Sequence, residues 1–186
     1  MNSSRIRKAT EELILAIEGE IRPQLRETPQ RVQRMWEEIL NGYEVEIPSL
    51  FKAFDGEGKD QLVVVRNIHT YSICCHHLIP FEIVASVAYL PKDKVLGVSK
   101  LARLVSAYAH RLQLQERITE QVANTIMEYL EPHGVGVIIK GAHLCMRMRG
   151  AKSEQSEVIT SVMLGAFRDD YPLRNEVLNL LQGEKL

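Results

Sequence analysis

The sequence has few of the features that mark secreted, membrane or nucleic-acid-binding proteins. Its 186 residues include three cysteines, an odd number too small for a disulfide framework. No apolar run approaches the roughly 20 residues that span a bilayer, and the N-terminal segment lacks the apolar core of a signal peptide. Lys and Arg total 23 against 24 for Asp and Glu, so the net charge gives no sign of a broad basic surface that would bind nucleic acid. We therefore expect a soluble cytoplasmic protein without membrane or nucleic-acid partners.

Internal repeats, low-complexity tracts and linkers rich in Pro, Gly or Ser are also absent. A hydrophobic content of 45% suits one compact domain with a full-sized core. We expect a single domain over residues 1–186, in which residues 1–45 form an N-terminal helical extension and residues 60–186 form a mixed body.

Helical spacing of apolar residues predicts two helices in the N-terminal part. The first covers residues 5–18. The second begins near Thr28, which is suited to the N-cap, and Pro29 suits the first helical position. Gly42 is suited to end that helix.

The rest of the chain changes between strand and helix patterns in blocks, after a turn-like loop at residues 53–60. Strands and helix pairs arranged in blocks favour an α+β fold with an antiparallel sheet over a doubly wound fold. The predicted strands cover residues 61–67, 81–89, 134–140 and 143–150. The first predicted helix of this part has Ser99 as its N-cap, and its inward residues are Leu101, Leu104, Val105 and Tyr108. A second helix is predicted over Ile118 to Leu130 and a C-terminal helix over Leu173 to Leu181.

A dense group of metal-binding residue types lies at Cys74, Cys75, His76 and His77. Cys74 and His77 have the Cys-x-x-His spacing that lets a short turn place a thiolate and an imidazole around one zinc ion. Taken alone, the segment is explained equally well by cysteines and histidines that occupy ordinary core and surface positions and bind no metal.

The predicted strand at 143–150 adds a third candidate ligand. Because strand side chains alternate, one face would carry an imidazole, a thiol and two guanidiniums, and the other would be apolar. If Cys145 joins Cys74 and His77, zinc has three protein ligands and one open position, the pattern of catalytic sites. An exposed sheet face with a chance cysteine is the alternative. The polar face would hold His143, Cys145, Arg147 and Arg149, and the apolar face Leu144, Met146 and Met148.

Two histidines lie beside the proposed ligands. His76 and His143 are suited to carry protons, because imidazole titrates close to neutral pH. A histidine next to a ligand serves equally well as support for that ligand.

Paired basic residues predict a phosphate site. Lys100 and Arg103 follow Gly97 at a predicted helix start, where backbone N–H groups already favour an anion. Arg31 and Arg34 repeat this spacing less specifically, and solvated surface charge is the alternative for both pairs.

Gln115 and Glu116 are candidates for binding a guanine edge. A glutamate carboxylate accepts hydrogen bonds from the N1–H and the 2-amino group of guanine. Without further context an ordinary helix start explains both residues.

Seven sequence blocks in order resemble the GTP cyclohydrolase I family. They are TPxRVxxMW, SxCxHHLxPF, GxSKLARxV, LQxQERxTxQ, GVGVxI, HxCMxMRG and TSxMLGxF, and they cover most of the chain. The resemblance implies the tunnelling fold (T-fold), with antiparallel sheets and helix pairs that assemble into a ring-shaped homo-oligomer, commonly a homodecamer. Active sites would then lie between subunits.

The resemblance also implies the activity and the site residues. The reaction would be zinc-dependent hydrolysis of GTP, at cyclic amidine C–N bonds, to 7,8-dihydroneopterin triphosphate and formate, the first step of folate and pterin biosynthesis. His143 would protonate the purine N7, and His76 and Ser99 would transfer protons while the ribose rearranges and the new ring closes. The implied zinc ligands are Cys74, His77 and Cys145, and the implied substrate-binding residues are Gln115, Glu116, Arg31, Arg34, Lys100, Arg103 and Arg149.

The chain departs from the family pattern around these segments. Cys75 stands where the family usually has Glu, and Lys140 and Gly141 replace an acidic residue and a small one. Two alternatives therefore stay open. One is a paralogue that acts on a related purine nucleotide or stops at a ring-opened formamide intermediate, and the other is a non-catalytic GTP-binding ring component.

Overall fold

The helices and strands of the protein follow the apolar periodicity of its sequence in most places. The structure, a computed structural model, describes residues 1–55 and 61–183. The chain divides into two units, Met1–Asn41 and Gly42–Leu186.

The N-terminal unit contains two helices, α1 (Ser3–Glu18) and α2 (Thr28–Ile39). The Asn2 side chain caps α1 by accepting a hydrogen bond from the Arg5 backbone N–H. Gly19 ends this helix in the left-handed conformation, with φ of 79°.

The predicted ends of α2 are wrong by one to three residues. The N-cap is Glu27, so Thr28 is already helical and its hydroxyl makes no cap. The helix ends at Ile39, before Gly42, because the chain tightens there into a 3-10 turn over Asn41–Glu44.

The second unit contains seven strands and five helices within the described residues. The strands are β1 (Ala53–Asp55), β2 (Val63–Cys74), β3 (Pro80–Leu90), β4 (Lys94–Leu96), β5 (Leu112–Gln113), β6 (Gly134–His143) and β7 (Val158–Gly165). The helices are α3 (Val98–Ala109), α4 (Gln115–Leu130), α5 (Leu144–Arg147), α6 (Ala166–Asp169) and α7 (Tyr171–Gln182).

The main sheet has five strands in the order β5-β2-β3-β6-β7. All neighbours are antiparallel except β2 and β5, which pair in parallel over two residues. A separate two-stranded sheet pairs β1 with β4. The predicted α+β class with an antiparallel sheet is therefore confirmed.

Helices cover both faces of this sheet. The pair α3 and α4 packs on one face, where Leu101, Leu104 and Ile118 are fully buried. On the other face, α7 contributes Val177 and Leu181 to a smaller cluster. The predicted inward faces of the helices are confirmed, and their burial against the sheet contributes to the hydrophobic stabilisation.

The predicted strand at 143–150 is wrong. β6 ends at His143, whose partner Phe81 is the second residue of β3, so no strand remains for the chain to pair with. The following residues form α5 instead, and Leu144 and Met148 are 41% and 64% exposed rather than buried. The alternating polar and apolar faces expected there do not exist.

Other differences concern element ends. Gly97 is the N-cap of α3, and Ser99 lies inside its first turn without capping it. β2 continues to Cys74, well beyond the predicted end of that strand. β7 was not among the predicted strands. Of the predicted turn at 53–60, residues 53–55 form β1 and residues 56–60 lie outside the described residues.

Among the helices of the described residues, none combines the length and the apolar content needed to cross a membrane.

We expect Gly42→Ala to destabilise the protein. A Cβ at Gly42 would lie 2.3 Å from the Ala107 carbonyl oxygen and 2.7 Å from that of His110. Both oxygens belong to the backbone, so relief requires a shift of the chain, and we expect a loss of about 1–3 kcal/mol in the free energy of unfolding. Urea unfolding measures the change.

The matched control is Gly97→Ala, where the nearest atom to an added Cβ is the flexible Lys100 side chain at 3.9 Å. Because Gly97 is the N-cap of α3, where alanine is somewhat less favourable than glycine, this variant should lower the urea midpoint only slightly and less than Gly42→Ala does. Equal destabilisation by the two substitutions would contradict the steric argument.

Candidate metal centre

The connection between β2 and β3 brings Cys74 and His77 together. The chain turns back on itself through two hydrogen bonds to the Cys74 carbonyl, from His77 N–H at 3.4 Å and from Leu78 N–H at 2.9 Å. Leu78 adopts the left-handed conformation, with φ of 54°, which is uncommon for a residue with a side chain. This tight turn holds the two side chains of the Cys-x-x-His segment on one side.

The topology brings Cys145 to the same place. β2 and β6 both run antiparallel to β3, so they point in the same direction. Their C-terminal ends lie at the same end of the sheet, opposite the start of β3. β2 ends at Cys74 and β6 ends at His143, and Cys145 follows two residues later in α5.

The three predicted zinc ligands therefore converge. The ligand atoms of Cys74, His77 and Cys145 all lie within 4.8 Å of one another, and Cys74 Sγ is 3.8 Å from His77 Nδ1. Tetrahedral zinc holds a sulfur and a nitrogen ligand about 3.6 Å apart. Among the His, Cys, Asp and Glu side chains of the described residues, this is the one group close enough to hold a metal ion.

The electrostatics of the two thiols favour a cation between them. Burial and the neighbouring Cys74 raise the pKa of the Cys145 thiol, because two thiolates side by side repel each other. A divalent ion removes that repulsion and stabilises both thiolates. Two sulfurs and an imidazole suit zinc, and three ligands leave its fourth position open.

Two arginines predicted on one strand face have separate surroundings. Arg149 Nη1 lies 3.0 Å from His77 Nε2, so Arg149 borders the metal group, which consists of Cys74, His77 and Cys145. Arg147 instead donates to the Ser156 carbonyl oxygen at 3.2 Å.

His143 lies at the same end of the sheet in a half-buried position. Its ring stacks on Phe81, with centroids 4.3 Å apart and an angle of 10° between the planes. Its Nε2 is 2.9 Å from Gln115 Oε1. Burial lowers the pKa of His143, and the negative charge of Glu116 partly opposes that shift.

Sequence reasoning missed Phe81 as a site residue. It begins the predicted strand at 81–89, and in the structure it is 1% exposed in the core. Its register opposite His143 is a long-range pairing, and no local pattern in the sequence signals it.

Cys75 and His76 lie beside the metal group but outside it. The Cys75 backbone N–H donates to the Gln113 carbonyl at 3.0 Å, which ties the turn to β5. The His76 ring is exposed and contacts the His77 ring edge to face, with centroids 6.1 Å apart.

Glu116 is exposed at the start of α4 and borders an open groove of about 340 Å³. The groove runs between α4 and β7. Its other lining residues are Thr119, Glu120, Asn124, Thr160, Ser161, Val162 and Leu164.

The predicted phosphate residues occupy two helices. Lys100 and Arg103, with Ser99, lie in the first turns of α3, and neither basic side chain forms a hydrogen bond or ion pair with the rest of the described chain. In the N-terminal unit, Arg31 pairs with Glu27 at 2.6 Å, an exposed i,i+4 contact on helix α2. Arg34 has no such partner among the residues that the structure covers.

The fold and the metal group define a class of protein, an α+β protein with a three-ligand candidate site for a soft divalent metal at one end of an antiparallel sheet. The sequence profile of GTP cyclohydrolase I matches residues 6–182. The chain therefore belongs to the GTP cyclohydrolase I family and is an enzyme of that family, as the seven sequence blocks predicted.

Relatives named GTP cyclohydrolase 1 match the chain over nearly their full length. The GTP cyclohydrolase 1 of Caldanaerobacter subterraneus subsp. tengcongensis is 44% identical over 187 residues, covering 100% of both chains. That of Coxiella burnetii is 47% identical over 171 residues, covering 91% of this chain and 93% of the relative. Among solved structures, archaeosine synthase QueF-Like has 20% identity and a TM-score of 0.48, covering 59% of this chain and 97% of that one.

We expect Cys145→Ala to lose bound zinc and Cys75→Ala to keep it. Removing the Cys145 sulfur leaves two ligands, too few for a stable site, whereas Cys75 is outside the group. Metal analysis after gel filtration should find about one zinc per subunit in the unchanged protein and in Cys75→Ala, and almost none in Cys145→Ala. The reverse pattern would show that Cys75 is the ligand.

Proposed function

We propose that Cys74, His77 and Cys145 bind one zinc ion and that this centre serves the hydrolysis of GTP to 7,8-dihydroneopterin triphosphate and formate. The observation that carries the proposal is the convergence of the three ligand atoms within 4.8 Å in a chain of this family. Zinc with an open position supplies a Lewis acid that makes bound water acidic enough to react near neutral pH.

Glu116 is proposed to bind the guanine edge. Its carboxylate accepts from the N1–H and the 2-amino group, and its exposed position beside a groove supports access by a planar base. Its charge also acts on His143, so a purine held by Glu116 would lie near that imidazole. Gln115 was predicted as the second guanine ligand, but it is buried and its amide is hydrogen-bonded within the protein.

His143 is proposed as the acid that protonates the purine N7. Its half-buried ring, held by stacking on Phe81, supports a fixed position for proton transfer at the end of β6. His76 and Ser99 are proposed to move protons during ribose rearrangement and ring closure, and the exposure of both side chains leaves them accessible to a ligand.

The triphosphate is proposed to bind Arg31, Arg34, Lys100, Arg103 and Arg149. Lys100 and Arg103 support this most directly, because two cations near a helix N-terminus, without partners among the described residues, attract phosphate oxygens. The exposed ion pair of Arg31 with Glu27 contributes little stability, so Arg31 can exchange it for a phosphate.

Assembly into a ring with the tunnelling fold, commonly a decamer with active sites between subunits, is proposed from family membership. The edge strand β7 supports it, because β7 pairs only with β6 among the described strands and offers its other edge to a further strand. A cytoplasmic location is proposed as well, and the three free thiols agree with a reducing compartment.

The activity is tested by incubating zinc-loaded protein with GTP while formate release and pterin fluorescence are measured together. Both products should form in equal amounts. Formate without fluorescence would instead indicate an enzyme that stops at an opened ring, and tight GTP binding without turnover would refute the proposed activity.

We expect Glu116→Gln to lower kcat/KM for GTP by about 100-fold, the cost of a charge-assisted hydrogen bond of about 2–3 kcal/mol. Steady-state kinetics with GTP measures the change. Glu120→Gln is the matched control, since it removes the same charge from the same groove one helical turn away. Similar losses in both variants would mean that Glu116 acts only through the general charge of the groove.

A further inference from the structure

Gln115 is buried although it is the neighbour of the exposed Glu116. Only 1% of its surface is accessible, at the first position of α4. Its side-chain amide nitrogen contacts the carbonyl oxygens of Ile139 and Val158, both at 2.9 Å, and Thr160 Oγ1 at 3.2 Å. The amide therefore has protein partners for both of its hydrogens.

These contacts fix the orientation of the amide. The carbonyl oxygens of Ile139 and Val158 only accept hydrogen bonds, so the NH2 group of Gln115 must point to them. Its Oε1 atom then faces His143 Nε2 at 2.9 Å. Because an amide oxygen also only accepts, the hydrogen of this contact must be on Nε2 of His143.

Stacking on one face restricts tilting of the His143 ring away from this contact. Phe81 stacks on it almost in parallel, with an angle of 10° between the planes. On the side of β6, a Cβ at position 141 would lie 1.9 Å from Gln115 Oε1 and 3.3 Å from His143 Nε2. Glycine at this position is therefore a condition for the contact.

We propose that Gln115 is a positioning residue, which holds His143 in the tautomer with hydrogen on Nε2 and leaves Nδ1 to exchange protons with the substrate. The effect on catalysis rests on the proposed role of His143, whereas the tautomer itself does not. A guanine could reach the Gln115 amide only after the bonds to both strands were broken, so Glu116 binds the base without it.

A second set of contacts holds the start of α4 in place. Thr119 Oγ1 donates to the Gln115 carbonyl oxygen at 2.8 Å and lies 2.6 Å from Thr160 Oγ1. Backbone and side chain of Gln115 are thus both tied to neighbours, which is how supporting residues keep a catalytic group within tight limits.

The tautomer is measured directly by solid-state nitrogen NMR of zinc-loaded enzyme labelled at its histidines. The chain has six histidines, and the His143 signals are those lost in His143→Asn. We expect hydrogen on Nε2 in the unchanged protein and a mixture of tautomers in Gln115→Met, which keeps the shape without the amide. Hydrogen on Nδ1 in the unchanged protein would overturn the proposal, whether or not the enzyme turns over GTP.

Steady-state kinetics distinguishes a positioning role of Gln115 from a role in binding the guanine base. Gln115→Met should lower kcat by about 100-fold or more, the usual contribution of a placed acid or base, while the GTP dissociation constant changes less than about twofold. Weaker GTP binding with an unchanged kcat would instead make Gln115 a guanine ligand and refute the proposal. Zinc content and the unfolding midpoint are measured for each variant, so that loss of the fold is recognised.

Gly141→Ala provides the second variant, because it keeps the glutamine and crowds its side-chain oxygen most strongly. It should show the same fall in kcat and the same mixed tautomer at retained GTP affinity. An unchanged kcat and tautomer in a folded Gly141→Ala protein would show that the contact between Oε1 and Nε2 does not govern His143.

Discussion

The pairing of β3 with β2 on one side and β6 on the other is the interaction on which the site depends. Because β3 is antiparallel to both neighbours, the C-terminal ends of β2 and β6 lie at the same end of the sheet. Cys74 and His143 end these strands, and the turn with His77 and the short helix with Cys145 follow at once. The backbone hydrogen bonds of one strand thus set the distances between ligands that are far apart along the chain.

The same pairing links the proposed metal centre to the proposed proton donor. His143 ends β6 and Cys145 follows two residues later, so a shift of that strand would move the proposed ligand and the proposed acid together. Gln115 opposes such a shift, because its amide bonds to a carbonyl of β6 and to one of β7 at the same time. A buried polar side chain with partners for every atom specifies one register, whereas an apolar contact would tolerate several.

The sequence predicted the local parts of the site for the right reason and the long-range part for a wrong one. Cys74 and His77 are three residues apart, and a turn does bring them together. Cys145 was selected from an alternating face of a strand, but that segment is helical and two of its apolar residues are exposed. Convergence came from the register of three strands, which depends on contacts across the chain rather than on local periodicity. The seven family blocks supplied that information.

Cys75 shows how the fold limits the effect of an unusual residue. The turn at this position is fixed by the Cys75 backbone, which donates to the Gln113 carbonyl, and any residue with a backbone N–H makes that bond. The side chain lies outside the group of ligand atoms, so the change from the family's usual glutamate leaves the ligand set intact. The effect of Cys75 is therefore confined to its own side chain, because neither the turn nor the set of candidate ligand atoms depends on which side chain this position carries.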